Sequence, residues 1–169
     1  MERGNLEFNG DGTLITNWDC WADRNPNLDQ DVLEIYLRNI WGLDQIVWTY
    51  GHSEWDVTTG HIDGVARFVN DSTVVVGEFT DSSDEDAWYY DSAAVVIENA
   101  GFNVVRIDMP GYIQYYGFTI PAIYLNWVQI NGAIIGNAYN VSEWDISAQN
   151  SLEALFPDHE VILLYTPEV

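Results

Sequence analysis

The sequence contains no lysine. Its five basic residues are all arginines (Arg3, Arg24, Arg38, Arg67 and Arg106), set against 27 acids, for a net charge of −22. Neutralising phosphates takes clustered Lys and Arg, so nucleic-acid binding through a basic patch is all but excluded. Anionic membrane surfaces are excluded on the same ground. There is one cysteine, Cys20, which rules out an internal disulfide framework and a multi-cysteine zinc site. No apolar run approaches the ~20 residues needed to cross a bilayer. The first five residues, Met1 to Asn5, are polar and lead into no apolar segment. No signal peptide is visible, and the expectation is a cytoplasmic protein.

What is present is the material of a folded domain. Of 169 residues, 47% are apolar and 14% aromatic, which is inconsistent with disorder. Such a chain buries roughly 70% of the surface it would expose unfolded. The acidity has two readings. One is adaptation to high salt, in which carboxylates hold water and salt screens their repulsion; the other is steering of a cationic ligand. The acids are spread along the chain, which favours the first.

Hydropathy patterning repeats three times. The first unit opens with Asn5-Leu6-Glu7-Phe8, a turn over Asn9-Gly10-Asp11-Gly12, and a return strand over Thr13–Thr16; Asn-Gly and Asp-Gly between apolar runs signal hairpins. After a break at Arg24-Asn25-Pro26-Asn27, the rows Val32/Tyr36/Ile40 and Leu33/Leu37/Trp41 predict a helix with one wide apolar stripe, stopped at Gly42. Gln45–Tyr50 reads as a strand. The second unit has strands over His61–Val69 and Thr73–Phe79, a helix over Asp84–Asn99 capped by Ser82 or Ser83, and a strand over Asn103–Ile107. The third has a hairpin of Ala122–Ile130 with Ala133–Gly136, a helix from Ser142 with Asp145 resembling a capping box, and a closing strand over Glu160–Tyr165. The pattern predicts an α+β chain of strand-strand-helix-strand modules, about 1–52, 53–110 and 111–169, in a radial or stacked arrangement. An open ring of three leaves apolar module flanks exposed. The aromatic segment Pro110–Phe118 fits neither strand nor helix of the pattern. It is a functional connection or aromatic packing against a sheet face.

The chemistry concentrates in Asp56-Val57-Thr58-Thr59-Gly60-His61-Ile62-Asp63. On a predicted strand, His61 and Asp63 point to one face, forming a proton-transfer pair or a cation-binding pair. Counting back seven residues from the turn asparagines Asn70, Asn9 and Asn131 gives Asp63, Glu2 and Tyr124. Equivalent strand ends in a radial fold converge, so Glu2, His61 and Asp63 are expected at one centre. Other candidates are weaker: His52 beside Glu54 and Trp55, and His159 between Asp158 and Glu160, read as surface loop residues. The acidic run Asp81–Asp86 lacks EF-hand spacing and reads as a capping loop.

These segments resemble the agmatine deiminases and the related bacterial peptidylarginine deiminases of the guanidine-modifying superfamily. The resemblance rests on Asp56-x-Thr58-x-Gly60-His61-x-Asp63 continuing through Ala66-Arg67-Phe68-Val69. It extends to Arg24-Asn25-Pro26, Tyr124-Leu125-Asn126-Trp127 with Asn131-Gly132, Leu155-Phe156-Pro157-Asp158, and Glu2, Gly4 and Asn5 of an E-G-G-[ND] segment. Arg3 stands where that segment has its first glycine. The resemblance implies a five-bladed α/β-propeller, the pentein fold, of which about three blades are present. It implies hydrolysis of a guanidine, agmatine to N-carbamoylputrescine and ammonia, or alternatively of peptidyl-arginine. His61 would be the general acid/base, Asp63 the guanidinium anchor, and Glu2 the partner that keeps His61 protonated. No metal or organic cofactor is implied. The family's nucleophilic cysteine lies in a C-terminal G-G-G-x-H-C segment and a further acidic residue in an N-terminal half, so the expectation is a C-terminal fragment lacking both. Cys20 matches a noncatalytic cysteine, a small buried thiol at the wrong end of its unit. The rival reading is a non-catalytic pentein module, a homo-oligomer that binds cationic ligands.

Self-repulsion at a net charge of −22 predicts that melting temperature rises with salt, well past the concentration that screens isolated pairs. Thermal melts in dilute buffer and in molar salt test this; equal melting temperatures would leave cation steering as the account of the acidity.

Overall fold

A computed structural model describes residues 2–54, 56–115 and 117–165. Three small sheets are built alike. In the first, β1 (Glu7–Phe8) pairs antiparallel with β2 (Thr13–Asn17), and β2 pairs parallel with β3 (Gln45–Thr49). The crossover between β2 and β3 carries α1 (Trp18–Arg24) and α2 (Gln30–Trp41). The second repeats this with β4 (Ala66–Phe68), β5 (Thr73–Phe79), α3 (Ala87–Asn99) and β6 (Asn103–Met109). A two-stranded hairpin follows, β7 (Tyr112–Tyr115) with β8 (Phe118–Pro121). The third sheet is β9 (Val128–Ile130), β10 (Ala133–Ala138) and β11 (Glu160–Tyr165), with α4 (Ser142–Leu155) as its crossover. A parallel pair needs such a crossover, which is why each unit carries its helix between second and third strand.

Strand alternation explains how the units stack. On β2, Leu14 packs with Leu33 and Leu37 of α2, while its neighbour Ile15 packs with Val47 against α3. On β5, Val74 and Val76 also face α3, whereas Val75 joins Ile107 in a cluster with Ala148 and Leu152 of α4. Sheets one and two are therefore covered on both faces, and their central strands are apolar at successive positions, as two-sided burial requires. The order through the stack is α2, sheet one, α3, sheet two, α4, sheet three.

The ends of this stack account for one difference from the sequence reading. The Leu33/Leu37 row of α2 is buried, but Val32, Tyr36 and Ile40 are 44%, 59% and 61% exposed. Among the described residues no sheet lies on that side of α2. At the opposite end, Val128, Ile130 and Leu164 of sheet three are exposed. Gly42, in the left-handed region at φ 64°, terminates α2 as expected.

Other differences are local. Periodicity gives no sign of α1, because seven residues are too few to show a repeat; its signal is the cap, Asn17 Oδ1 accepting the Asp19 N–H at 2.9 Å. Helix α3 starts at Ala87 behind Asp86, not at Asp84 behind a serine. The residues before it form a capping loop, in which Asp81 accepts from the Ser83 N–H and Asp84 from the Asp86 N–H. In α4 the expected box is only half present: Asp145 reaches back to the N–H groups of Tyr139 and Val141, and Ser142 caps nothing because Val141 occupies the cap position. The segment expected as an irregular aromatic connection is the β7–β8 hairpin, with Tyr116 outside the described residues. No helix among the described residues is long and apolar enough to cross a membrane.

Arg67, on β4, ties the units together. Its Nε donates to Glu7 on β1 at 2.9 Å, and its Nη1 donates to the carbonyls of Leu125 and Trp127 at 3.1 and 3.0 Å. Its guanidinium lies 4.9 Å from the Trp127 ring centroid, within cation–π range. Glu7 also accepts the Phe68 N–H at 2.8 Å. Burial pushes the Glu7 carboxyl above the usual range, and Arg67 is the first influence opposing it. Replacing Arg67 with Ala leaves that carboxylate buried without its cation. The expected cost is about 3–5 kcal/mol, read as loss of stability in denaturant melts; a loss below about 1 kcal/mol would show that the bridge contributes no more than a surface pair.

Candidate functional site

His61 is delivered by a loop that Asp56 organises. One carboxylate oxygen of Asp56 accepts the Thr58 N–H at 2.8 Å and the Thr58 hydroxyl, and the other accepts the Gly60 N–H at 2.8 Å. The Thr58 hydroxyl oxygen then accepts the His61 N–H at 3.2 Å. Between them Thr59 is held at φ 58°, a left-handed conformation that costs a β-branched residue roughly 1–3 kcal/mol. The spacing of Asp56, Thr58, Gly60 and His61 is thus a hydrogen-bonded turn that aims one imidazole.

His61 and Asp63 do not lie on a strand. His61 immediately precedes a single 3-10 turn over Ile62–Gly64, closed by the Val65 N–H on the Ile62 carbonyl at 2.9 Å, and β4 begins only at Ala66. The alternation argument for a shared face therefore fails. The two side chains nevertheless line one cleft, because the turn sits at its edge. The cleft holds about 430 Å³ and is lined also by Ser53, Tyr112, Ile120 and Asn126. The β7–β8 hairpin supplies one of its walls.

Glu2 reaches this cleft only through His61. One Glu2 carboxylate oxygen is hydrogen-bonded to His61 Nε2, and the other accepts from Arg24 Nε at 2.7 Å. Arg24 also donates to the Cys20 carbonyl at 3.2 Å and the Thr58 carbonyl at 3.0 Å, tying α1 to the His61 loop. The hydrogen bond with His61 and then that with Arg24 hold the Glu2 carboxyl below the usual range. Gly4 is dictated by the same pair: a Cβ there would stand 2.2 Å from His61 Nδ1, so the imidazole has room only because the position carries no side chain.

Glu2, His61 and Asp63 are therefore brought together, Glu2 on the imidazole and Asp63 in the cleft beyond it. Tyr124, third in the asparagine register, is not a cleft residue: its hydroxyl donates to Asp145 at 2.8 Å in the core of the third unit. Cys20 is buried as expected, and burial pushes its thiol up to about 11. Its expected position away from the site is wrong. Its Sγ and the donor atoms of Glu2 and His61 lie within 4.8 Å of one another, because α1 folds back beneath Glu2. His52 pairs with Asp19 at 3.1 Å, and His159 lies edge-on to Phe156; neither lines the cleft.

Burial raises the Asp63 carboxyl above its usual range, with His61 and Arg67 opposing. The folded state then holds that proton more tightly than the unfolded chain, so this group costs stability as pH rises from the ordinary carboxylate range through the raised one. Asp63→Asn removes the cost. Its melting temperature is expected to exceed that of the parent by a few degrees at neutral pH, with the difference shrinking in acid as Asp63 is protonated. A variant less stable at neutral pH would show that the carboxylate is held by contacts stronger than its burial penalty.

Known proteins resemble this chain in sequence and in fold. The profile of the Porphyromonas-type peptidyl-arginine deiminase family matches residues 1–169. The agmatine deiminase of Medicago truncatula is 28% identical over 192 aligned residues, covering 96% of this chain and 50% of its own length. That of Pseudomonas fluorescens is 27% identical, with 97% and 51% covered. The structure of a C. jejuni agmatine deiminase with substrate bound superposes with a TM-score of 0.89 at 29% identity, over 97% of this chain and 50% of that one. The chain spans about half the length of the curated relatives it matches. With a profile that runs its whole length and a matching fold, this chain belongs to the Porphyromonas-type peptidyl-arginine deiminase family.

Proposed function

We propose that these residues form the acid–base and guanidinium-binding side of a guanidine hydrolase, with agmatine as the substrate class. The carrying observation is that the His61 imidazole is seated between the Glu2 carboxylate and a cleft lined by the Asp63 carboxylate. A guanidinium is planar and cationic, and a carboxylate such as Asp63 binds it through paired N–H donors. A net charge of −22 draws such a cation toward the cleft. The cleft volume of about 430 Å³ suits a small molecule.

In this reading a thiolate attacks the guanidinium carbon and gives a tetrahedral adduct. Ammonia leaves with a proton from His61, leaving a thiouronium. His61 then takes a proton from water, the hydroxide adds to the same carbon, and the thiolate departs as the ureido product forms. Glu2 fixes the imidazole throughout. Cys20 does not supply the thiolate: it is buried, its thiol is pushed up to about 11, and a nucleophilic cysteine needs the opposite shift. The nucleophile, and with it the rest of a five-bladed propeller, is contributed by sequence outside residues 1–169. The exposed row of α2 and the exposed face of sheet three support this, as surfaces a larger ring would cover. Peptidyl-arginine is the second reading, favoured by the description of the matching family.

The test is release of ammonia and a ureido product from agmatine and from an arginyl peptide. It is run with residues 1–169 and with a version lengthened at both ends by its own flanking coding sequence. Turnover is expected only in the longer version, lost by about 10²–10⁴-fold in His61→Ala and comparably in Asp63→Ala. Turnover by residues 1–169 that persists in Cys20→Ala would overturn the mechanism.

A further inference from the structure

We propose that Cys20 Sγ, His61 Nε2 and a Glu2 carboxylate oxygen form a binding site for a thiophilic divalent cation of the zinc class. The three donor atoms already lie within 4.8 Å of one another. A tetrahedral zinc ion requires its sulfur, nitrogen and oxygen donors to stand about 3.5 Å apart, so the sulfur would move in while the hydrogen-bonded Glu2 oxygen and His61 nitrogen move apart to admit the ion. One thiolate, one imidazole and one carboxylate are a borderline set that favours zinc over magnesium or calcium. Three protein ligands leave a fourth position for water.

The surroundings are those of ligands held in place. Arg24 grips the Glu2 oxygen that does not face His61, at 2.7 Å, and so orients the carboxylate as outer-shell partners do. The close approach of Gly4 to Nδ1 fixes the ring with Nε2 toward Glu2. The Glu2 and His61 side chains are 38% and 23% exposed, giving an entry path to the buried sulfur. Coordination releases the thiol proton and the proton shared between His61 and Glu2 to solvent. The imidazole and carboxylate then hold metal instead of a proton. In the function proposed above, on which this last step rests, a metal-loaded site is an inhibited one.

The chain is titrated with zinc against a chromophoric chelator and with cobalt(II) as a spectroscopic probe. One equivalent is expected to bind, with a thiolate-to-cobalt charge-transfer band. Cys20→Ser should remove the band, and Glu2→Gln should weaken zinc binding by roughly tenfold or more. His52→Ala should change neither. Circular dichroism checks the fold of each variant; if Cys20→Ser unfolds, the half-exposed Glu2 position decides. Absence of the band in the parent chain, or zinc affinity unmoved by Glu2→Gln, overturns the proposal. Guanidine hydrolysis by the metal-free lengthened version, without the band, would defeat this inference alone; the band without hydrolysis by that metal-free lengthened version would defeat only the function above.

Discussion

Beside the apolar clusters between neighbouring units, one half-buried cation links all three. Arg67 holds Glu7 of the first sheet and two carbonyls before the third, while its own strand forms the edge of the second. In a chain with five bases and 27 acids, a guanidinium used in this way is scarce. Its five rigid donors suit it to several acceptors at once, which an ammonium could not match. The site depends on this bridge. Glu7 lies just beyond the segment that carries Glu2 and Gly4, and Arg67 lies just beyond the turn that carries His61 and Asp63. Docking the two strands sets the distance between the two halves of the site.

The repeated strand-strand-helix-strand order was legible because it is written in short-range signals: Asn-Gly turns, two-sided apolar strands and a glycine stop. What periodicity could not show was which apolar rows would find a partner. Val32, Tyr36 and Ile40 look like Leu33 and Leu37 in sequence, yet burial depends on whether a second layer is present. Short elements were the other blind spot. α1 is held by its Asn17 cap and the 3-10 turn after His61 by the loop and contacts around it, not by a repeat.

The site was legible through residue chemistry rather than through geometry. His61 and Asp63 meet in one cleft, but by a turn and not by strand alternation. Glu2 meets His61 as the register implied, whereas Tyr124, drawn from the same register, does not join them. The proximity of Cys20 required knowing that α1 turns back under the chain's start. No sequence interval expresses that.

The hydrogen bond between Glu2 and His61 spans a sequence separation of 59 residues. Among the described residues, strand pairing is contained within single units. Local pairings of this kind close early in folding, and long-range contacts follow once the entropy of closing their loops has been met. The Glu2–His61 hydrogen bond is therefore expected to form when finished units dock, after each has its own sheet. Amide exchange at the His61 turn should accordingly follow the opening of the interface between the first two units, not the melting of either sheet.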